Sequence, residues 1–260
     1  MAKRTLAGKR ILVTGASQGI GRAFALAAAG RGAKVVASAR SAEPLEQLRA
    51  EAKGAIVPVV GDVTRPADRE AMLGAALGQF GGLDILVNNA GRGATGLYGD
   101  TRPGTLRDVM EVNFFALAEM TRLCLPALRL GARPLIVNVS SILGRRAIPR
   151  YSEYCASKFA IGGFSDALRA ELAALGIGVL VVNPGPTETG FQRNMFERDG
   201  ATPKAEGRMT AAAVARAMIR AVEKDKCEIT LSGVGLALVL ANRCVPGLVD
   251  WYLRREFLKG

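Results

Sequence analysis

Two side chains in the sequence could transfer a proton together. Tyr154 and Lys158 are four residues apart in the segment Tyr-Cys-Ala-Ser-Lys. On a helix, residues at this spacing lie one turn apart on the same face. An ammonium group beside a phenol favours the phenolate, so we expect Lys158 to lower the pKa of Tyr154 from its ordinary value of about 10. Such a pair can act as general acid and base without histidine, which is the residue most often used for that purpose.

The composition excludes several other chemistries. The chain has no histidine, so neither a Ser-His-Asp hydrolase nor a histidine-ligated metal site is possible, and we predict no metal. The four cysteines lack the spacing of a metal or redox motif, and we interpret them as reduced thiols of a cytoplasmic protein. The first ten residues are charged and contain no apolar run, so we expect no secretory signal.

The net charge of +12 indicates an anionic partner. Nucleotide phosphates, an acidic carrier protein and an anionic membrane surface are all compatible with it. The basic residues are scattered, and no zinc-finger or RNA-binding pattern accompanies them, so we predict no nucleic-acid binding.

Short apolar runs alternate with longer helical patterns along the 260 residues. Because several runs are apolar throughout, they are typical of a parallel sheet covered by helices on both faces. The pattern predicts one α/β domain over residues 1–260, a doubly wound, Rossmann-type, seven-stranded parallel sheet in a three-layer α/β/α sandwich. The predicted strands are Arg10–Thr14, Lys34–Ala39, Ile56–Val60, Asp84–Asn88, Leu135–Ser140, Gly178–Asn183 and Cys227–Leu231.

A glycine-rich segment follows the first predicted strand and precedes a helix predicted over Ile20–Gly30. Glycines allow a tight turn and a close approach of the backbone to a pyrophosphate, and the helix N-terminus adds free N–H groups. The segment therefore predicts a dinucleotide site. Its candidate cofactor residues are Gly15, Ser17, Gln18, Gly19, Ile20 and Gly21.

The end of the second strand bears on which dinucleotide is bound. An acidic residue there would bind free ribose hydroxyls, but the strand ends in Arg40, which could pair with a 2′-phosphate. We therefore predict NADPH in preference to NADH; the alternative for Arg40 is a solvated surface arginine. Asp62 and Val63 follow the third strand, where Asp62 could reach the adenine amino group or serve only as a turn residue.

Over residues 7 to 232 the chain resembles the short-chain dehydrogenase/reductase family. The resemblance rests on five motifs in the family's order, including Tyr-x-x-x-Lys at Tyr154 and Lys158. The family serine lies thirteen residues before the tyrosine, which selects Ser141 over its neighbour Ser140. The other motifs are Thr14–Gly21, Asn88-Asn89-Ala90-Gly91, Asn113 in Glu-Val-Asn-Phe, and Asn183-Pro184-Gly185-Pro186.

The resemblance implies hydride transfer between NADP(H) and a carbonyl or secondary alcohol. It assigns proton transfer to Tyr154, polarisation of the carbonyl to Ser141 and ribose binding to Lys158. It also implies that Asn113 holds a water that links Lys158 to solvent. It also implies a homodimer or homotetramer formed through the helices that contain Asn113 and Tyr154. The remaining cofactor residues are Asn89, Ala90, Gly91, Pro184, Gly185, Thr187 and Thr189, of which Thr187 could instead be only a helix N-cap.

Two segments are predicted to enclose the substrate: Ile142–Glu153, and a lid from Glu188 to about Arg208. Phe191, Met195 and Phe196 in the lid favour either a lipophilic substrate or ordinary lid packing. Arg145 and Arg146 could meet an acidic group on a substrate or partner, but a solvated loop is favoured.

Residues 233–260 form an apolar and basic C-terminal extension with a helix predicted from Pro246. Its Trp251 and Tyr252 beside Arg254 and Arg255 suit a membrane interface. Packing on the protein's own core or across a dimer explains the same pattern and is favoured.

The leading hypothesis is thus an NADPH-dependent carbonyl reductase or alcohol dehydrogenase. A 3-oxoacyl carrier-protein reductase is the alternative enzyme, supported by the basic charge and opposed by the long C-terminal segment. A cofactor-binding regulator without turnover is the alternative of a different class.

Overall fold

The computed structural model describes residues 4–196 and 208–258. Seven strands form the main sheet, and each predicted strand is found with its ends shifted by at most one residue. The short strands β7 and β8 form a separate two-stranded sheet that the sequence analysis did not predict. In chain order the strands are β1 Arg10–Thr14, β2 Lys34–Ala39, β3 Ile56–Val60, β4 Ile85–Asn88, β5 Leu135–Val139, β6 Gly178–Pro184, β7 Thr187–Glu188, β8 Met209–Thr210 and β9 Glu228–Leu231.

All neighbouring strands of the main sheet are parallel, in the order β3-β2-β1-β4-β5-β6-β9. The chain first proceeds outward from β1 to β3 and then returns to β4 on the other side of β1. Such a reversal opens a crevice at the carboxyl ends of the strands, where doubly wound folds bind ligands. The predicted fold class is therefore confirmed.

The helices cover both faces of the sheet. Alternation along β1 shows why, since Ile11 and Val13 join the hydrophobic cluster on one face and Leu12 joins the cluster on the other. The helices are α1 Gly19–Ala29, α2 Ala42–Glu51, α3 Pro66–Phe80, α4 Thr105–Met110, α5 Ala116–Arg129, α6 Ser152–Ala173, α7 Ala211–Glu223, α8 Gly233–Cys244 and α9 Pro246–Phe257.

Local sequence sets several helix boundaries. Pro66 and Pro246 occupy the first turns of α3 and α9, where the missing N–H has no cost. Thr210 and Ser232 cap α7 and α8, each accepting a backbone N–H through its hydroxyl. Gly81 ends α3 with φ at 71°, a conformation that favours glycine.

The C-terminal extension forms the two helices α8 and α9, which contact each other. Within residues 4–196 and 208–258, no helix combines the length and apolarity needed to cross a bilayer.

Candidate active site

A cavity of about 1430 Å³ lies at the carboxyl ends of the strands. All the residues predicted for the site line it except Gly21 and Asn113, which lie behind its wall. The predicted residues that line it are Gly15, Ser17, Gln18, Gly19, Ile20, Arg40, Asp62, Val63, Asn89, Ala90, Gly91, Ser141, Tyr154, Lys158, Pro184, Gly185, Thr187 and Thr189.

The turn between β1 and α1 is held against the segment that follows β4. Gly15 has φ at +65°, and a Cβ there would lie 2.7 Å from the Ala90 Cα. At Gly21 a Cβ would lie 2.4 Å from Asn89 Nδ2. That amide donates to the carbonyls of Thr14 and Gly15, each at 3.0 Å. The glycines therefore permit a close backbone approach, and Gly19 and Ile20 at the start of α1 line the cavity, as suits a helix N-terminus that binds a pyrophosphate.

The segment after β6 packs over this turn. A Cβ at Gly19 would lie 2.9 Å from Thr189 Cγ2, and one at Gly190 would lie 2.2 Å from Gln18 Oε1. The alternative interpretation of Thr187 as a helix N-cap is wrong, because its hydroxyl donates to the Gly185 carbonyl within β7. Thr189 is the capping residue, since its Oγ1 accepts from the Phe191 N–H at the start of a 3-10 turn over Gly190–Asn194.

Arg40 and Asp62 stand at one end of the cavity, after β2 and β3. Arg40 is exposed. The Asp62 carboxylate accepts from Thr64 N and Oγ1 at 2.9 and 2.8 Å. Burial by itself would raise the pKa of Asp62, but these bonds and the charge of Arg40 hold it below its ordinary value. The carboxylate is therefore ionised and already oriented, while the guanidinium faces the cavity.

Asn113 lies in a π-helical turn, Glu111–Phe115, between α4 and α5. Its side chain is fully buried. Oδ1 accepts from Arg92 N at 2.8 Å, and Nδ2 donates to the Arg92 carbonyl and to Ser157 Oγ, both at 2.9 Å. Asn113 thus fixes the backbone beside Gly91, where a Cβ would lie 3.6 Å from Lys158 Nζ. Single π turns occur often at functional sites, and nothing in the residue pattern indicated this one.

Tyr154, Lys158 and Ser141 meet at the floor of the cavity. The Ser141 side chain lies close enough to Tyr154 to lower the pKa of the tyrosine hydroxyl. Lys158 Nζ lies 5.6 Å from the centroid of the tyrosine ring and donates to the Val139 carbonyl at 3.0 Å. The Phe191 ring packs against Tyr154 at a centroid distance of 5.7 Å.

The expected lowering of the Tyr154 pKa is wrong for this geometry. Tyr154 is half-buried as a residue, but protein atoms crowd its hydroxyl. This burial raises the pKa above its ordinary value, and the Ser141 side chain acts in the opposite direction. Burial also lowers the pKa of Lys158 to about 8. The spacing of the pair was visible in the sequence, but its desolvation was not.

The two neighbouring serines are placed differently. Ser140 is buried, and its hydroxyl donates to the Lys158 carbonyl at 3.0 Å. Both serines line the cavity, but Ser141 is more exposed than Ser140, and its Oγ accepts from Leu143 N at 3.1 Å. Ser140 therefore anchors α6 to the end of β5, while Ser141 is the serine within reach of a substrate.

The predicted lid is described only in part. Phe191 and Met195 line the cavity, whereas Phe196 lies under the Arg92 guanidinium at 3.7 Å. Residues 197–207, which belong to the predicted lid, lie outside the described residues.

Arg145 and Arg146 each pair with an acidic group of the chain itself, which the sequence analysis did not consider, and Arg146 also lines the cavity. Arg145 donates from Nε to Glu228 at 2.8 Å and also pairs with it through Nη2. Arg146 forms an ion pair with Asp250 of α9. Both arginines thus tie the loop after Ser141 to the rest of the chain.

The sequence analysis missed the contribution of the C-terminal helices to the cavity wall. Ala237, Leu238, Leu253 and Phe257 line it. Arg150 Nε donates to the Phe257 carbonyl at 3.1 Å across 107 positions of sequence, a pairing that no local pattern reveals. In the part of the chain that the structure describes, no group of three or more acidic or cysteine side chains could hold a metal ion.

Residues 9–200 match the short chain dehydrogenase family. The chain is 35% identical to dehydrogenase/reductase SDR family member 7B of Mus musculus over 252 residues, which are 92% of this chain and 78% of that one. The chain therefore belongs to the short-chain dehydrogenase/reductase family, and the resemblance noted from its motifs is confirmed.

Two solved structures have the same architecture. One is a short-chain dehydrogenase/reductase from Burkholderia phymatum in complex with NAD, with a TM-score of 0.84, 28% identity and coverage of 94% of this chain and 96% of that one. The other is a 3-ketoacyl-(acyl-carrier-protein) reductase from Brucella melitensis complexed with NADH, with a TM-score of 0.78, 32% identity and coverage of 87% and 95%.

Proposed function

We propose that this oxidoreductase reduces a lipophilic ketone, or oxidises the matching secondary alcohol, with NADP(H) as cofactor. The observation that carries the proposal is that Ser141, Tyr154 and Lys158 line the same cavity, which also reaches Arg40. The nicotinamide cofactor supplies or accepts the hydride when it is bound.

The chain's own residues supply the proton and the polarisation. In the direction of reduction, Tyr154 donates its phenol proton to the carbonyl oxygen as the carbon gains the hydride. A raised pKa keeps the phenol protonated at neutral pH, which suits a proton donor. Ser141 donates a hydrogen bond to the same oxygen and polarises the carbonyl.

Lys158 stabilises the Tyr154 anion that remains after the proton has been donated. Its ammonium has three donors, one of which is bonded to the Val139 carbonyl. The others are available to ribose hydroxyls, and the charge stabilises the tyrosinate that remains. Asn113 holds the Gly91–Arg92 backbone beside this ammonium, which fixes the wall against which the cofactor would lie.

The NADP(H) preference rests on Arg40. It lines the cavity at the end of β2, where an enzyme that prefers NAD would carry a carboxylate. Asp62, the acidic residue nearby, accepts hydrogen bonds from Thr64 N and Oγ1. An arginine can bind a 2′-phosphate by paired hydrogen bonds.

The proposal of a lipophilic substrate rests on the apolar side chains that line the cavity. Phe191 and Met195 enclose one side of the floor, and Leu238, Leu253 and Phe257 line the side formed by α8 and α9. Apolar walls around a small number of polar groups are typical of sites for small apolar ligands.

The proposal includes a homo-oligomer built on the surface of α6 and the π-helical turn. Phe115 and Phe159 lie there, both about half exposed. Large exposed aromatic residues on an otherwise soluble chain are typical of protein interfaces.

A carrier-protein ketoreductase is the second candidate. It is favoured by the net charge of +12, since carrier proteins are acidic, and by similarity to a ketoacyl carrier-protein reductase. Activity on a carrier-linked 3-oxoacyl chain that greatly exceeds activity on the free ketone would select this candidate.

The test is NADPH consumption by the wild-type protein with ketones of graded chain length. We expect turnover that rises with the length of the apolar chain, because longer chains reach the wall formed by α8 and α9. NADPH binding without turnover of any ketone or carrier-linked substrate would overturn the proposal and favour a non-catalytic regulator.

A further inference from the structure

The outer surface of α8 is unusual for a helix of a water-soluble domain. Its twelve residues include Val234, Leu236, Leu238, Val239 and Leu240, yet none of them is buried. Leu240 remains 53% exposed. A helix that is apolar around its circumference normally lies inside a protein or a membrane, so this helix lacks an apolar environment in the described chain.

The exposure on α8 follows the helical period. Leu236, Leu240 and Arg243 are exposed at intervals of four and three residues, so they form one stripe. The half-buried Leu238 contributes to the cavity wall. The helix therefore presents one surface to the cavity and another to the outside.

The helix α9 also has one buried stripe and one exposed stripe. Val249 and Leu253 are buried on one stripe, while Leu248, Trp251 and Tyr252 are at least half exposed on another. Both of these contacting helices therefore carry a stripe of exposed apolar side chains. Trp and Tyr are the side chains enriched where a protein meets the headgroup region of a bilayer.

The charged residues of the two helices are mostly cationic. Arg243, Arg254 and Arg255 are exposed, and Arg255 lies over the Trp251 ring at 5.6 Å. Of the two acidic residues, Asp250 is paired with Arg146, and Glu256 is exposed beside the cavity, so within the described residues the three exposed arginines outnumber the single unpaired carboxylate. Anionic headgroups would complement this surface. A twofold interface between copies would instead bring like charges together.

We propose that α8 and α9 dock on an anionic lipid membrane and lie in the plane of its interface, with Leu236, Leu240, Leu248 and Trp251 in the acyl boundary. The cavity wall formed by these same helices would then face the bilayer. As a consequence that rests on the proposed function, lipophilic substrates would enter the cavity from the membrane.

The docking is tested by vesicle flotation of the full chain, which needs no activity. The wild type should float with vesicles of phosphatidylcholine mixed with phosphatidylglycerol, and less with phosphatidylcholine alone. The double variant Leu240→Glu/Trp251→Glu should bind about 100-fold more weakly, since two half-exposed anchors are lost. The matched control is Leu130→Glu, at an 87% exposed leucine that ends α5 shortly before β5, toward the amino ends of the strands and away from the cavity, and it should float like the wild type.

Three results would overturn the docking: no flotation of the wild type, equal flotation of the double variant and wild type, or equal loss in Leu130→Glu. Reduced self-association of the double variant in sedimentation, with wild-type flotation, would assign this surface to a protein interface instead. Neither Leu240 nor Trp251 lines the cavity, so turnover of a short water-soluble ketone should be unchanged in the double variant. Flotation without any turnover would leave the docking supported and contradict the proposed function alone.

Discussion

Replacement of Gly21 by alanine tests the close packing of the phosphate turn. The new Cβ would lie 2.4 Å from Asn89 Nδ2 and 2.5 Å from the Gly15 carbonyl oxygen. An ordinary contact begins at 3.4 Å, so Asn89 Nδ2 must move away from the new Cβ by about 1 Å. That movement breaks the hydrogen bonds of Asn89 to Thr14 and Gly15.

The expected magnitude follows from these contacts. Overpacking of this kind costs about 1–3 kcal/mol of the free energy of unfolding, which lowers Tm by several degrees in a chain of this size. Because the turn carries the N–H groups proposed to bind the pyrophosphate, the same displacement should lower kcat/KM for NADPH by about 100-fold.

Gly74→Ala is the matched control. Gly74 is exposed in the interior of α3, and a Cβ there meets nothing within 4 Å. Alanine at this position should stabilise the protein by about 0.5–1 kcal/mol and leave NADPH kinetics unchanged. The measurements are Tm from thermal unfolding and kcat/KM for NADPH from steady-state kinetics, for both variants. If Gly21→Ala behaves like Gly74→Ala in both assays, the close approach on which the phosphate site rests is refuted.

Three further predictions concern single charged groups. The kcat/KM of ketone reduction should fall as pH rises through about 8, where Lys158 loses the proton whose charge stabilises the Tyr154 anion; a profile that stays flat through this range would contradict the role of Lys158. Burial alone would raise the pKa of Asp84, but hydrogen bonds from Arg10 hold it at about 2, so the pair should contribute about 2–3 kcal/mol at neutral pH that is lost as pH falls from about 4 to about 2. Asp84→Asn should remove this acid dependence in urea titrations, and an unchanged dependence would refute the assignment. Arg40→Ala should weaken NADPH binding by about 10- to 100-fold and leave NADH binding nearly unchanged; equal losses for the two cofactors would remove the specificity argument.

The fold could be predicted because its determinants are local. Apolar runs of four to seven residues, the glycines between β1 and α1, and the alternation with helical segments each lie within a short window of sequence. The strand ends were correct to within one residue for the same reason.

The parts that were missed depend on contacts between distant segments. The strand pair β7 and β8 brings Thr187 next to Met209, and neither two-residue strand has a pattern of its own. Arg145 and Arg146 were candidates for a partner because Glu228 and Asp250 could not be placed beside them from the sequence.

Desolvation also was not visible in the sequence. The spacing of Tyr154 and Lys158 placed both at one site, as the four-residue interval predicted. Whether the pKa of Tyr154 is raised or lowered depends on how deeply its hydroxyl is buried, and only the tertiary structure shows this burial. The π-helical turn at Asn113 is a similar case, since one irregular turn leaves no periodic signal.

The most direct test of the central claim compares Tyr154→Phe with Tyr151→Phe, a second tyrosine that lines the same cavity. Both variants should retain NADPH binding, measured by cofactor fluorescence. Loss of the proton donor should reduce kcat of Tyr154→Phe by about 100- to 10,000-fold. The kcat of Tyr151→Phe should stay within about tenfold of the wild type. Wild-type turnover by Tyr154→Phe would contradict the account.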